Sequence, residues 1–301
     1  MHAADIGWTI APSMAVGGAD IIVLDWDGGE SLLNCLHSID IQSLPPARII
    51  IVDNGSTTPV YQRLPKDLLK VPYLIVRNDT NLGFTGGINR AMKEVTAGFV
   101  GWVNNDAVLS EKWLEKVLAA VSGEGKIAGA QSIVLRDKTT VDGAGITIEG
   151  GLFRQIGHGQ KMASLRGMTQ PWGISGTAAV FRTNALREVA IHGNVLRNDL
   201  FAYYEDVELS ARLRAKGWKF KLVPEALVMH KGSSSAGRLG WSGFQMRVRN
   251  RYIVARAHPG VGKVGALISE DLSNAGKDIL GGRFQAASSR IRAVFQGLRA
   301  K

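Results

Sequence analysis

Two adjacent acids, Glu205 and Asp206, stand at the start of a helical stretch whose Leu209 and Leu213 repeat at i and i+4. Acids are favoured in a first helical turn by about 0.3–1 kcal/mol. The same dipole keeps a carboxylate ionised at neutral pH, as a general base must be. Neighbouring acids also point in different directions, so one can orient a substrate while the other takes a proton. Asp106 is the one carboxylate of Asn104-Asn-Asp106. A hard divalent cation bridging a diphosphate needs oxygen ligands, and one protein carboxylate suffices where phosphates supply the rest. His230, after the apolar Leu227-Val-Met229, is either a hydrogen-bonded core residue or the partner of Asp106 in a metal site. An imidazole ligand favours manganese-like ions over calcium.

Further polar runs follow other apolar segments. Asp25-Trp-Asp27 closes Ile21-Ile-Val-Leu24, and Asp53-Asn-Gly-Ser56 closes Arg48-Ile-Ile-Ile-Val52. The second suits an Asx turn. It equally suits a buried acid and amide, Asp53 and Asn54, that hold a ribose hydroxyl and a base edge. Trp26 is either core or a platform for that base. Asn81–Asn89 carries Gly83, Gly86 and Gly87 between two asparagines. That run is a flexible connector or a close backbone approach to a nucleotide. It lacks the Gly-x-Gly-x-x-Gly order and follows a third strand rather than a first, which argues against a nicotinamide site.

The elements that must position these residues alternate. Strands are predicted at Ile21–Leu24, Arg48–Val52, Tyr73–Val76 and Phe99–Val103. Helices are predicted from Ser31, near Ile88–Glu94 and over Glu111–Val121. Strand, loop and helix in this order predict a parallel, doubly wound sheet, whose ligands collect at the carboxyl ends of its strands. The second half is less regular, with strands expected at Ile127–Ala130, Ile146–Ile148, Thr177–Arg182 and Phe220–Val223 and a helix over Glu205–Ala215. Beyond about Ala236 the pattern changes to basic helices, Gln245–Ala257 and Ala286–Leu298. The expected organisation is a catalytic domain over 18–235, in halves 18–125 and 126–235, and a basic helical extension over 236–301.

The chain has 301 residues, is 45% hydrophobic and carries a net charge of +10. From Gly240 to Lys301 there are eleven Lys or Arg against three acids, a net of +8. That tail is a solubilising surface, an anionic-lipid contact or, third, a nucleic-acid contact; few aromatics are interleaved and no nucleic-acid motif is present. Phe284, Ile291, Val294 and Leu298 among Arg290, Arg292 and Arg299 resemble an interfacial amphipathic segment. Cys35 stands alone, which excludes an intrachain disulfide and suggests a reducing compartment. No export signal is expected at Met1–Asp5, and no run of about 18 apolar residues spans a bilayer.

Taken in order from Ile21 to His230, and on to Arg247-Val-Arg-Asn-Arg-Tyr252, these runs resemble a family 2 glycosyltransferase of the bacterial, rhamnosyltransferase-like type. The resemblance implies a GT-A (nucleotide-diphospho-sugar transferase) fold, a Rossmann-like, mostly parallel α/β sheet flanked by helices. It implies inverting transfer of a sugar from a UDP-, dTDP- or GDP-linked donor to an acceptor hydroxyl, assisted by Mn²⁺ or Mg²⁺. The acceptor would be a glycan or lipid-linked glycan of a bacterial cell surface. Asp206 would be the base, with Glu205 orienting the acceptor beside Trp172-Gly-Ile-Ser-Gly176. Asp106 and His230 would hold the metal. Asp25, Trp26, Asp53, Asn54, Asn81, Gly86, Gly87, Asn89, Asn104 and Asn105 would line the nucleotide sugar. The protein would be cytoplasmic or peripheral on the inner membrane face.

Several positions depart from the usual pattern. Ser56-Thr-Thr-Pro59 stands where Ser-Thr-Asp is common, amides Asn104 and Asn105 precede the metal acid, and Ile191-His-Gly-Asn194 replaces a familiar Gly-Phe-Asp. A sugar-nucleotide pyrophosphorylase is the first alternative, disfavoured by the acidic Asp25-Trp-Asp-Gly-Gly-Glu30. A non-catalytic nucleotide- or carbohydrate-binding module is the second.

Overall fold

A computed structural model describes residues 18–123, 125–165, 167, 170–230 and 234–300, with the side chains of 234–238 excepted. Residues 1–17, and with them the reading of Met1–Asp5, lie outside the described residues.

The first half alternates strictly. β1 (Ala19–Asp25), α1 (Glu30–Asp40), β2 (Arg48–Asn54), α2 (Val60–Arg63), β3 (Tyr73–Asn78), α3 (Gly83–Met92) and β4 (Phe99–Asn104) follow one another. Then come β5 (Ala107–Leu109), α4 (Trp113–Ser122), β6 (Ile127–Leu135), β7 (Val141–Gly143), β8 (Ile146–Glu149), β9 (Leu152–Gln155), β10 (Ala178–Arg182) and α5 (Thr183–Glu188). The chain continues through α6 (Glu205–Ala215), β11 (Lys219–His230), α7 (Ser234–Ala257), α8 (Val264–Leu280) and α9 (Phe284–Arg299).

The main sheet runs β3-β2-β1-β4-β10-β6-β11-β5, with β7 added to β6. β3, β2, β1 and β4 are parallel, β10 is antiparallel to both neighbours, and β11 runs parallel to β6. The apolar runs without alternation are explained by burial on both faces. Ile21, Val23, Ile49 and Ile51 enter one core with Leu32, Leu36 and Trp113. Ile22, Ile50 and Val52 point the other way, onto Ile88, Phe181, Leu209 and Leu213. Period-two side chains feeding two cores require helices above and below, which is the layered arrangement expected of a parallel sheet.

Three differences from the sequence reading have physical causes. β11 is one strand through Pro224, because a register shift between Val223 and Leu227 removes the ladder bond that proline cannot make. The glycine run 83–87 is helical, since α3 already begins at Gly83. The extension has three helices, the unpredicted one being α8.

That extension packs through Tyr252, Val254, Leu267 and Ala293 onto Phe153, Leu200 and Val207. Gly297 lets α9 approach α7 closely, because any Cβ there would meet the Arg249 carbonyl and Tyr252. Val294 and Leu298 pack inward against this core, and Arg290 pairs with Asp271 and Asp278. These three residues therefore leave the interfacial face on which the sequence reading set them.

Candidate active site

The segment before α6 is held in an unusual backbone. Phe201, Tyr203 and Tyr204 have φ of 61°, 69° and 68°. Each such non-glycine residue costs on the order of 1–3 kcal/mol and persists only where its surroundings fix it. Asn250 of α7 fixes it: the fully buried side-chain amide donates to the carbonyls of Leu200 (2.9 Å), Ala202 (2.8 Å) and Tyr203 (2.9 Å). From the other side, Thr85 N–H of α3 donates to Phe201 O at 3.0 Å. Gly83 has no alternative, because a Cβ would overlap Phe201. The loop thus delivers Glu205 and Asp206 to the first turn of α6.

Glu205 is 8% exposed, and its Oε2 is buried with no hydrogen-bond partner among the described residues. Burial, reinforced by the charge of Asp206, pushes its pKa well above the usual glutamate range. Asp206 is half-buried, and its Oδ1 accepts the Val207 N–H at 2.8 Å. Burial raises its pKa to about 6. The two neighbouring acids titrate together, and burial holds both above the ordinary carboxylate range.

A second corner forms where β11 ends beside β5, with His230 opposite Ala107. This register sets His230 Nε2 3.0 Å from Asp106 Oδ1. Nδ1 lies 2.9 Å from Asp142 Oδ2, a contact that the sequence reading missed. Burial works against the imidazolium, but hydrogen bonds and charge from Asp106 and Asp142 prevail and raise its pKa to about 9. The same contact with His230 is the largest cause that takes Asp142 down to about 2.

Among the described residues no group of three or more His, Cys, Asp or Glu is arranged to hold an ion alone. One carboxylate and one imidazole in contact nevertheless fit a hard-to-borderline divalent ion whose remaining ligands are phosphate oxygens and water.

The edge formed by β1 and β2 is densely cross-linked by polar side chains. Asp53 is wholly buried: Oδ1 accepts Ser56 N–H and Oδ2 accepts Val60 N–H, both at 3.0 Å, and Arg77 pairs with it. Asp25 is equally enclosed by Gly28 N–H, Asn105 Nδ2 at 2.6 Å, the Ser56 hydroxyl and Arg63. Asn54 joins Asn78, Asn81, Leu82 and Gly83 in one amide network. Asn89 spans to Leu196 and Asn198.

Gly87 makes room for Leu24 of β1, and Gly86 for Leu82. Asp25, Asp53, Asn54, Asn89 and Gly87 thus also shape the strand ends from within. Arg63 and Arg77, which neutralise the two buried acids, carried no sequence signal because each is distant from its partner. Trp26, Asn81 and Asn104 stay half-buried on this edge. Asn104 is tied by its backbone, its N–H donating to Thr177 O at 2.9 Å and its carbonyl accepting the Cys35 thiol at 3.3 Å.

The segment 172–177 connects the two corners. Gly173 lies against Ser210 of α6, and Arg214 of the same helix stacks over the half-buried Trp172 ring. Gly176 abuts Phe84 and Trp102, and the Thr177–Asn104 bond then reaches the end of β4. Trp172 and Gly176 therefore sit between the acid pair and the strand end that leads to Asp106.

Residues 21–190 match the family described as glycosyl transferase family 2. An N-acetylglucosaminyl-diphospho-decaprenol L-rhamnosyltransferase of Mycobacterium tuberculosis is 27% identical over 274 residues, covering 80% of this chain and 85% of that one. Among solved structures, the Pyrobaculum calidifontis mannosyltransferase PcManGT with GDP-Man and Mn²⁺ aligns at TM-score 0.59 and 13% identity, over 98% of this chain and 79% of that one. GalNAc-T7 with UDP, GalNAc and Mn²⁺ aligns at TM-score 0.59 and 15% identity, over 79% of this chain but only 47% of the other. The S. aureus TarS 1–349 complex with UDP-GlcNAc aligns at 0.55 and 16% identity, over 80% and 67%. At these identities the structures speak for the fold.

Proposed function

Since the chain belongs to glycosyl transferase family 2 and has the α/β fold of its structural neighbours, we propose that Asp206 is the base of an inverting sugar transfer. The chain is a glycosyltransferase that uses a nucleotide sugar in cell-envelope glycan synthesis, which sets aside the pyrophosphorylase and the non-catalytic module.

The single observation that carries the residue assignment is the paired acid at the mouth of α6: Glu205 buried, with its Oε2 unpartnered among the described residues, and Asp206 half-buried beside it. Asp206 takes the proton of the acceptor hydroxyl as that oxygen attacks the anomeric carbon from the face opposite the diphosphate. Glu205, keeping its proton, donates to an acceptor oxygen and holds it in line, with Trp172 and Gly176 shaping the approach. Asp106 and His230 would hold a divalent ion, which when bound would supply charge neutralisation for the departing diphosphate. Trp26, Asn81 and Asn104 line the nucleotide side from the strand ends.

Release of nucleoside diphosphate from a panel of UDP-, dTDP- and GDP-linked sugars, a rhamnose donor among them, tests the reading with and without Mn²⁺. Metal-dependent release with a lipid diphosphate acceptor supports it. Release that persists in Asp206→Asn overturns the base assignment.

The acceptor suggested by the mycobacterial relative is lipid-linked, and one surface here suits a bilayer. Leu272, Ile279, Leu280, Phe284, Ile291 and Phe295 of α8 and α9 are all exposed, Leu280 at 90% and Phe284 at 67%. The acids of the two helices are spent inside: Glu270 and Asp271 on Arg251, and Asp278 on Arg283 and Arg290. Lys277, Arg292 and Arg299 remain exposed among the apolar side chains. Apolar surface flanked by cations without exposed acids is the composition of an interfacial anchor on anionic lipid. Among the described residues no helix is long and apolar enough to cross a membrane.

A further inference from the structure

We propose that Asp142 is a positioning residue for the cation site: it fixes the ring orientation and tautomer of His230, so that Nε2 is the nitrogen presented beside Asp106. This rests on Asp106 and His230 being the residues that hold the ion.

The backbone around Asp142 is built to aim it. β7 pairs with β6 through Val134↔Gly143 and Leu135↔Val141, so Asp142 is the one residue left out of the ladder. A bulge of this kind re-aims a side chain that regular pairing would stack over the strand, and bulges concentrate beside active sites. The released carboxylate reaches His230 from β7, although 88 residues separate the two in sequence.

Asp142 is itself held. Arg136 Nη2 donates to Oδ1 at 3.0 Å, and His158 Nδ1 lies 2.7 Å from its backbone carbonyl. Oδ2 is thereby left to His230. With Nδ1–H donated to a fixed carboxylate, the ring cannot flip without losing that bond. Histidines that bind metals generally pass their second N–H to such a carboxylate, and removing it costs about 10–100-fold in metal affinity. The motif runs gave no sign of this residue, because Asp142 lies in the short strand β7, far in sequence from both ligands.

Mn²⁺ alone is the probe. Binding is followed by the loss of the free-ion electron paramagnetic resonance signal, and the nitrogen hyperfine coupling reports the imidazole ligand. Asp142→Ala should weaken Mn²⁺ about 10–100-fold and lose or alter the nitrogen coupling. Asp142→Asn, whose amide oxygen still accepts Nδ1–H, should recover both to within a few-fold of wild type. Circular dichroism and thermal unfolding confirm that each variant is folded. Wild-type Mn²⁺ affinity in Asp142→Ala overturns the proposal, as does an Asn variant no better than Ala. If His230→Ala and Asp106→Ala also bind Mn²⁺ as wild type does, the metal assignment itself falls. If those two lose binding while Asp142→Ala keeps it, only the positioning role falls.

Discussion

Glu205 and Asp206 are neighbours with the same chemistry and opposite tasks, and burial separates them. Because burial raises Asp206 above the ordinary carboxylate range, towards about 6, kcat/KM should fall tenfold per pH unit on the acid side of its pKa and level off above it. A pH–rate profile with no acid limb between pH 5 and 7 would count against Asp206 as the base. Asp206→Asn should lower kcat by about 10²–10⁴-fold while leaving nucleotide-sugar binding intact, measured by calorimetry beside single-turnover rates.

Glu205 makes a separate prediction about stability. Its pKa is raised on folding, so the folded chain keeps a proton that the unfolded chain releases. Its contribution is fully present below the ordinary glutamate pKa and is lost as pH climbs through the folded value. Glu205→Gln should therefore gain in Tm relative to wild type between pH 5 and pH 8.5. An equal Tm difference at both pH values would refute the assignment of the raised pKa to Glu205.

Among the elements, α7 has a role that its position at the head of a basic extension does not suggest. Asn250 ties down three carbonyls of a strained loop that ends at the acid pair. Asn250→Ala would leave those carbonyls buried without their donor, at a cost of about 1–3 kcal/mol for an unsatisfied group. The expected outcome is a lower Tm and a fall in kcat, with Mn²⁺-dependent donor binding unchanged; an unaltered kcat would show that the loop keeps its shape without the clamp. Helix α3 offers a packing test. Gly87→Val would press branched methyls into Leu24 and should destabilise by about 1–3 kcal/mol in a denaturant titration.

At this scale the sequence was legible where local chemistry repeats. The unalternating Ile-Ile-Val runs located β1 and β2, and the Glu-Asp start with a Gly217 stop located α6 to the residue. It was less legible where an element depends on remote partners. α8 hides its inward stripe among Gly265, Gly276 and polar residues. Asp25 and Asp53 read as ligand groups because acids at strand ends face a crevice. Arg63 and Arg77, brought in by the fold from distant positions, pair with these acids and were not legible in the motifs.

For the molecule as a whole, the catalytic sheet and the basic extension share one core through Leu200, Val207 and Tyr252. A chain ending at Ala236 would lose Asn250 and is no clean control for lipid binding. Substitutions on the outer face are better. Replacing Leu280 and Phe284 together with Ser should cut binding to phosphatidylglycerol vesicles by at least about 100-fold, given roughly 1.5–3 kcal/mol for each such side chain buried in the interface. Turnover on a water-soluble acceptor analogue should be unaffected. Equal sedimentation of variant and wild type with anionic vesicles, or a concentration-dependent change in mass for wild type alone, would show that another copy of the chain covers this face.

The solitary Cys35 acquires a use from its surroundings. Wholly enclosed under the end of β4, it has a thiol pKa pushed up by desolvation and by the nearby charges of Asp106 and Asp25. Alkylating reagents can reach it only when the crevice floor opens, so its modification rate is a built-in clock for that opening. A nucleotide sugar that docks on the strand ends should slow this clock without any engineered label.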